Sequence, residues 1–163
     1  MCRRFPDAVE DAPPPEAAAA IAAVVRLLEG EKRDLSDIAV DLSTLPEFER
    51  RVLEETRRIP TGETRTYGEL AAKVGAAGAA RAVGRALGRN PAPIIIPCHR
   101  VLAASGGSGG FSAPGGVTTK MRMLQIERAR RSSSPELFDD LPLAMKPVLQ
   151  PARPPSGPPS RAR

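Results

Sequence analysis

Apolar positions along this chain change their period several times, and each change predicts an element. After a run of three prolines, Ile21, Val24, Val25 and Leu28 recur at helical spacing, which predicts a helix over residues 15–29 with these four as its inward stripe. Residues 34–42 alternate loosely (Leu35, Ile38, Val40, Leu42), as a short strand would. Thr44 and Glu47 have capping-box spacing, and Pro46 suits the first turn of the helix they would open. That helix is expected to reach about Arg58, with Phe48, Val52 and Leu53 inward and its arginines outward, before Pro60-Thr61-Gly62 breaks it. Thr66-Tyr67-Gly68-Glu69 repeats the capping-box spacing and opens a short helix through Leu70, Ala71 and Val74. The turn Gly75-Ala76-Ala77-Gly78 leads to a second helix from Ala79 to about Gly88, stopped by Asn90-Pro91. Ile94-Ile95-Ile96 is a β-branched run too short for a helix and reads as a strand that Pro97 ends.

Composition divides the 163 residues into three parts. Twelve of the 18 prolines lie before residue 16 or after residue 134, whereas 12 of the 14 glycines lie between Gly62 and Gly116. Proline removes backbone donors and glycine permits tight turns, so a folded centre at 45–131 is expected between a shortened α/β segment at 1–44 and a disordered Pro/Ser-rich tail at 132–163. Two cysteines and one histidine cannot build a disulfide framework or a recognisable structural zinc site, so no metal is expected. No apolar run approaches a membrane span and the N-terminus lacks a signal-peptide layout, which leaves a cytoplasmic protein of a reducing compartment.

Charge sharpens the picture once it is divided along the chain. The net +5 conceals a segment, residues 62–131, with eleven basic residues against Glu63, Glu69 and Glu127, while residues 1–44 are net acidic. A positive field so confined suits a polyanion such as nucleic acid, although a solvated basic surface would look the same. Two short helices around a glycine-containing turn form a helix-turn-helix pattern. On the second, Arg81, Arg85 and Arg89 make one basic row opposite Val83, Ala86 and Leu87. The alanines and glycines between them would let the backbone approach a groove; an ordinary helical hairpin with a solvated face is the competing reading.

Cys98 follows the apolar run and precedes the single histidine, His99, and Arg100. Basic surroundings favour the thiolate, the form that attacks carbon, but a cysteine after an apolar strand is as often plain packing.

These residues resemble a known family. Gly62-Glu63-Thr64 with Tyr67, Ala79-Ala80-Arg81-Ala82-Val83-Gly84, Asn90-Pro91, Pro97-Cys98-His99-Arg100, Gly109-Gly110-Phe111-Ser112 and a late Glu127 follow the order of the O6-alkylguanine-DNA alkyltransferases, over about residues 48–128. The resemblance implies an α+β fold: a mainly helical C-terminal domain with a helix-turn-helix and a short active-site strand, after a truncated α/β N-terminal remnant. It implies irreversible, single-turnover repair, in which the alkyl group of O6-alkylguanine, with O4-alkylthymine as a second candidate lesion, passes to Cys98 without a cofactor. By the same resemblance His99 deprotonates the thiol, Glu127 orients His99, and Tyr67 assists extrusion and protonates the leaving base. Arg81 fills the stack, and Asn90 ties the recognition helix to the active-site strand. A target buried in a duplex must be flipped out for such chemistry. Tyr67, Ala79, Arg81, Ala82, Arg85 and Arg89 would contact double-stranded DNA through its minor groove, in a monomer associated with the bacterial nucleoid. Leu87, Ser108, Gly109, Phe111 and Ser112 would shape the alkyl-guanine pocket.

The chain also departs from the family. Phe111 stands where many relatives have tyrosine, and Ala113-Pro114 looks like a two-residue extension of the glycine-rich loop. Only about 45 residues precede the repair domain. In the tail, Leu137-Phe138 lies in a short acidic-apolar island that either packs back on the domain or docks on a replication sliding clamp. Two other classes compete: a lesion-binding protein without transferase activity, which would replace Cys98, and an unrelated helix-turn-helix regulator, which would leave the Cys-His-Arg motif unexplained.

Overall fold

The structure, a computed structural model, describes residues 11–104 and 109–129. It holds five helices, α1 (Pro15–Leu28), α2 (Glu47–Arg57), α3 (Tyr67–Lys73), α4 (Ala80–Gly88) and α5 (Gly116–Ile126), among the described residues. Two two-residue strands, β1 (Arg65–Thr66) and β2 (Val101–Leu102), pair in parallel, Arg65 with Val101 and Thr66 with Leu102. The architecture is helix-rich with one small sheet. The tail and Leu137-Phe138 lie outside the described residues.

The main core forms where α2, α3 and α4 meet. Val52 and Leu53 of α2, Leu70 and Ala71 of α3, and Val83, Ala86 and Leu87 of α4 are buried together with Ile59, Ile96 and Val101. Each large side chain so buried contributes roughly 1.5–3 kcal/mol of transfer free energy. The arginines Arg81, Arg85 and Arg89 stand exposed on the other side of α4, as its spacing predicts. Between α3 and α4 the chain turns at Gly75 (φ +71°) and Gly78 (φ +84°), a left-handed conformation that glycine adopts without strain.

The Thr66–Glu69 capping box is present in full. The Glu69 backbone N–H donates to Thr66 Oγ1 at 3.1 Å, and Glu69 Oε2 accepts from the Thr66 N–H at 2.6 Å. The equal spacing at Thr44 and Glu47 forms no box: Pro46 occupies the N-cap, without a side-chain bond, and its carbonyl accepts from Arg50 N.

Three expectations need correction. Residues 34–42 form no strand. Asp34 and Asp41 instead accept from the backbone N–H two residues on, at 2.9 and 2.8 Å, and these turns compete with any ladder. The region 11–44 therefore contributes a helix and no strand among the described residues. On α1 the inward face is Ala23 and Leu27, with Val24 partly buried, against Leu35, Ile38 and Ile94. Ile21, Val25 and Leu28 of the expected stripe remain 56, 46 and 40 % exposed, because the helix turns the neighbouring face, Ala23 and Leu27, towards its partners. Finally, residues 94–96 are a turn and not a strand. Ile94 has φ +79°, and the strand comes after the cysteine, at β2.

Candidate active site

The cysteine is presented by backbone geometry that local bonds enforce. The Asn90 side chain, just past α4, closes the turn 90–96: its Nδ2 donates to Ile96 O at 2.8 Å and its Oδ1 accepts from Ala92 N–H at 3.0 Å. These bonds hold Ile94 in a left-handed conformation that is unfavourable for a β-branched residue. Pro97 then leads into a single 3-10 turn, Cys98–Arg100, which runs directly into β2. Cys98 is half-buried on the wall of a mostly apolar cavity of about 900 Å³, which Tyr67, Arg81, Leu87, Phe111 and Ser112 also line.

His99 and Arg100 point the other way, into the interior, where both meet Glu127 at the C-cap of α5. His99 Nε2 lies 2.9 Å from Glu127 Oε1; Arg100 donates from Nε to Oε2 at 2.9 Å and from Nη2 to Oε1 at 2.8 Å. Arg100 is fixed further by Ile59 O at 2.6 Å and Thr61 Oγ1 at 3.0 Å. An ionised carboxylate only accepts, so the imidazole proton sits on Nε2 and Nδ1 carries a lone pair. Nδ1 is buried and has no hydrogen-bond partner within the protein.

Electrostatics assign protonation states. Burial opposes the charge on Glu127, but hydrogen bonds from His99 and Arg100 outweigh it and hold the carboxyl down to about 2. Burial pushes His99 below its ordinary value, assisted by the Arg100 and Lys120 charges and opposed by Glu127, so the imidazole is a neutral base at pH 7. Burial raises the Cys98 thiol, against the pull of the Asn90 side chain, Lys120 and nearby backbone N–H groups. Burial, and then the Cys98 charge, likewise raise Tyr67, which keeps its phenol protonated. A resting thiol, a neutral base beside it in sequence, and a proton donor on the same cavity form a matched set.

Tyr67 opens α3 directly behind the Thr66 cap, and its hydroxyl approaches Gly110 O at 3.4 Å. Gly109 (φ +65°) lies so close that a Cβ there would sit 2.8 Å from Tyr67 Cε2 and 3.0 Å from its hydroxyl. Gly109→Ala is therefore expected to displace the phenol. The reactivity of the site should fall at least tenfold, while thermal melting moves by only a few degrees; unchanged reactivity would separate the ring position from the chemistry.

The structure thus gathers Tyr67, Arg81, Arg85, Leu87, Asn90, Cys98, Phe111 and Ser112 at one cavity and places His99 and Glu127 behind the cysteine. Ala79, the N-cap of α4, and Ala82 within it are partly buried outside the cavity wall, and Arg89 is exposed in an ion pair with Glu49. Ser108 lies outside the described residues. Among the described residues no cluster of three His, Cys, Asp or Glu could hold a metal, and no helix is long and apolar enough to cross a membrane. Sequence reasoning gave no role to Arg100, which pins Glu127, and missed Lys120, whose Nζ is fully buried and donates to Val101 O at 2.6 Å. The missed signal was its place on one helical face: Lys120, Met123, Leu124 and Glu127 follow the i, i+3, i+4, i+7 pattern and all are buried.

Known proteins resemble this chain in sequence and fold. The sequence profile of "6-O-methylguanine DNA methyltransferase, DNA binding domain" matches residues 47–129. A methylated-DNA–protein-cysteine methyltransferase of Mycolicibacterium paratuberculosis is 50% identical over 103 residues, which is 63% of this chain and 61% of the relative. The chain therefore spans about three-fifths of that curated relative. Among solved structures, Mycobacterium tuberculosis OGT in complex with DNA superposes with a TM-score of 0.63 at 43% identity, covering 68% of this chain and 66% of that one. The O6-methylguanine-DNA methyltransferase of Pyrococcus kodakaraensis superposes with a TM-score of 0.58 at 33% identity, covering 77% and 70%. A profile match across half the sequence, joined to a shared fold at this identity, is more than a likeness of architecture: the chain belongs to the 6-O-methylguanine DNA methyltransferase family.

Proposed function

We propose that this protein repairs DNA by moving the alkyl group of O6-alkylguanine onto Cys98. The observation that carries the reading is Cys98 on the wall of the apolar cavity, with His99 next to it anchored to Glu127 at 2.9 Å. The thiol proton passes through a bridging water to His99 Nδ1, which has no partner within the protein, and Glu127 supports the imidazolium that results. Sulfur attacks the alkyl carbon; the S–C bond forms as the C–O6 bond breaks, and the departing guanine takes a proton from the Tyr67 phenol. The product is a thioether. No group at the site can reverse it, so each molecule acts once, and no cofactor takes part.

The target atom is out of reach inside a duplex, so the nucleotide must be extruded into the cavity. Arg81, on the cavity rim, is placed to occupy the gap in the stack, and α3–α4 serves as a helix-turn-helix. Arg85 and Arg89 lie along the same exposed face of α4 for phosphate contacts, and the small residues of α4 suit close approach in the minor groove. Gly110, Phe111 and Ser112 also line the cavity; Phe111 offers a ring for stacking but no hydroxyl. O4-alkylthymine is a further lesion for the same cavity.

Intact mass after mixing with a duplex that contains one O6-methylguanine tests the reading. The protein is expected to gain one methylene, mapped to Cys98, and a Cys98→Ala variant to gain none. Tight lesion binding without a mass change would replace transfer by lesion sensing.

A further inference from the structure

Among the described residues of the site, Lys120 is a buried cation that has no anion, whereas Arg81 and Arg85 on the cavity wall are exposed to solvent. Its Nζ is fully buried, donates to Val101 O at 2.6 Å, and lies 5.7 Å and 5.9 Å from the ring centroids of Tyr67 and Phe111. Arg100, by contrast, is neutralised by Glu127. No carboxylate pairs with Lys120 among the described residues. Burying an unpaired ammonium is unfavourable, and one carbonyl with two ring faces offsets this only in part. A methionine would fill the same space between two rings without that penalty. The position makes sense if an anion forms beside it during the protein's work.

We propose that Lys120 is a positioning residue that supplies the counter-charge for the Cys98 thiolate, held between the Tyr67 and Phe111 rings by its bond to Val101 O. The inference rests on Cys98 being the alkyl acceptor. The charged and titratable groups around the pair are Tyr67 from α3, the exposed Arg81 and Arg85 from α4 on the same cavity wall, His99 and Arg100 from the Cys98 turn, and Glu127 from the end of α5. At rest Tyr67 is protonated, His99 is neutral, and Arg100 and Glu127 cancel. Lys120 is therefore a buried positive charge already in place, with no carboxylate of its own, before the thiol proton leaves. Its coupling to Cys98 is mutual: burial pulls the ammonium down to about 8 while the thiolate pushes it back up, and the ammonium in turn lowers the thiol. Such a field is already oriented before reaction, the condition under which electrostatic stabilisation is most effective. Hydrogen bonding to Val101, one residue beyond the Cys98 turn, fixes the charge to the same backbone that presents the sulfur.

The test reads the thiol itself. Iodoacetamide alkylation of Cys98, followed on the Cys98 peptide from pH 6 to 10, reports the thiolate fraction without any DNA. Lys120→Met is expected to move the midpoint up by about one pH unit, which slows alkylation roughly tenfold near neutrality, and Lys120→Arg to restore it to within about threefold. A second arm does not depend on the Lys120 variants folding: the Lys120 ε-carbon NMR titration should fall to lower pH in Cys98→Ala, because the anion is gone. A purely structural lysine would change thermal stability and leave both titrations where they are; that result would overturn the proposal. Wild-type transfer from an O6-methylguanine duplex is measured alongside. Its loss with the Lys120–Cys98 coupling intact would count against the repair reading alone.

Discussion

Glu127→Gln is expected to lower alkyl transfer about 10²–10⁴-fold and to destabilise the fold by about 3–5 kcal/mol. Both losses have one origin. The carboxylate accepts from His99 Nε2 and twice from Arg100, and its side chain is only 2 % exposed. A neutral amide leaves the Arg100 guanidinium buried with Ile59 O and Thr61 Oγ1 as its remaining partners, an uncompensated charge. It also lets the His99 ring choose the wrong tautomer and removes the anion that balances the imidazolium. Chemical denaturation and single-turnover transfer, measured on the folded fraction, separate the two effects. Acid should reproduce the first without mutation. The Glu127 carboxyl is depressed from 4.5 to about 2, so the unfolded chain binds its proton first, and the stability contributed above pH 4.5 is lost as pH falls towards 2. His99, depressed below 6.5, acts in the same direction from higher pH: the unfolded chain charges its imidazole before the folded one does. Melting temperature should therefore decline below about pH 6.5 in the wild type. In Glu127→Gln the share of that decline that Glu127 contributes between pH 4.5 and about 2 should be missing, while the shares of Glu69 and Asp41 remain.

Asn90→Ala ranks second. Its side chain bonds Ile96 O and Ala92 N–H and also holds the Cys98 thiol down against burial. Removing it strands two backbone groups, for about 2–4 kcal/mol, and releases the turn that keeps Ile94 at φ +79°. Cys98 loses a group that lowers its thiol, so alkylation by a small electrophile at neutral pH should slow about tenfold. Asn90→Asp discriminates. It keeps the acceptor for Ala92 N–H and should recover part of the stability, yet a carboxylate beside the sulfur should raise the thiol further. If stability and thiol reactivity recovered together in Asn90→Asp, the separation of the two roles would be wrong.

Legibility in the sequence followed the range of the interactions. Helices α2, α3 and α4 are encoded by their own spacing and breakers, and their inward residues Val52, Leu53, Leu70, Val83 and Leu87 are readable before any tertiary contact is known. The same local signature is present in the box at Thr66 and missing at Thr44, because Pro46 takes the N-cap there; residue spacing alone does not say where the first helical turn closes. Strands of two residues carry no period, so the β1–β2 pair is invisible, and β-branched Ile94–Ile96 misleads because Asn90 imposes a turn on it. Glu127 stands 28 positions from its histidine, and only the resemblance joined them. Lys120 was hidden by expectation: lysines are usually solvated.

The small parallel pair has a mechanical meaning. β1 ends at Thr66, one residue before Tyr67, and β2 begins at Val101, one residue after the Cys98–Arg100 turn. Four residues thus gauge the phenol against the sulfur, and a slip of one position would offset them by about 3.3 Å, roughly the whole reach of a proton transfer. Insertions are therefore forbidden at two joints, 66/67 and 100/101, however small the inserted residue. Ala113-Pro114 comes after both joints in the chain, beyond β2, where added length would leave the gauge untouched.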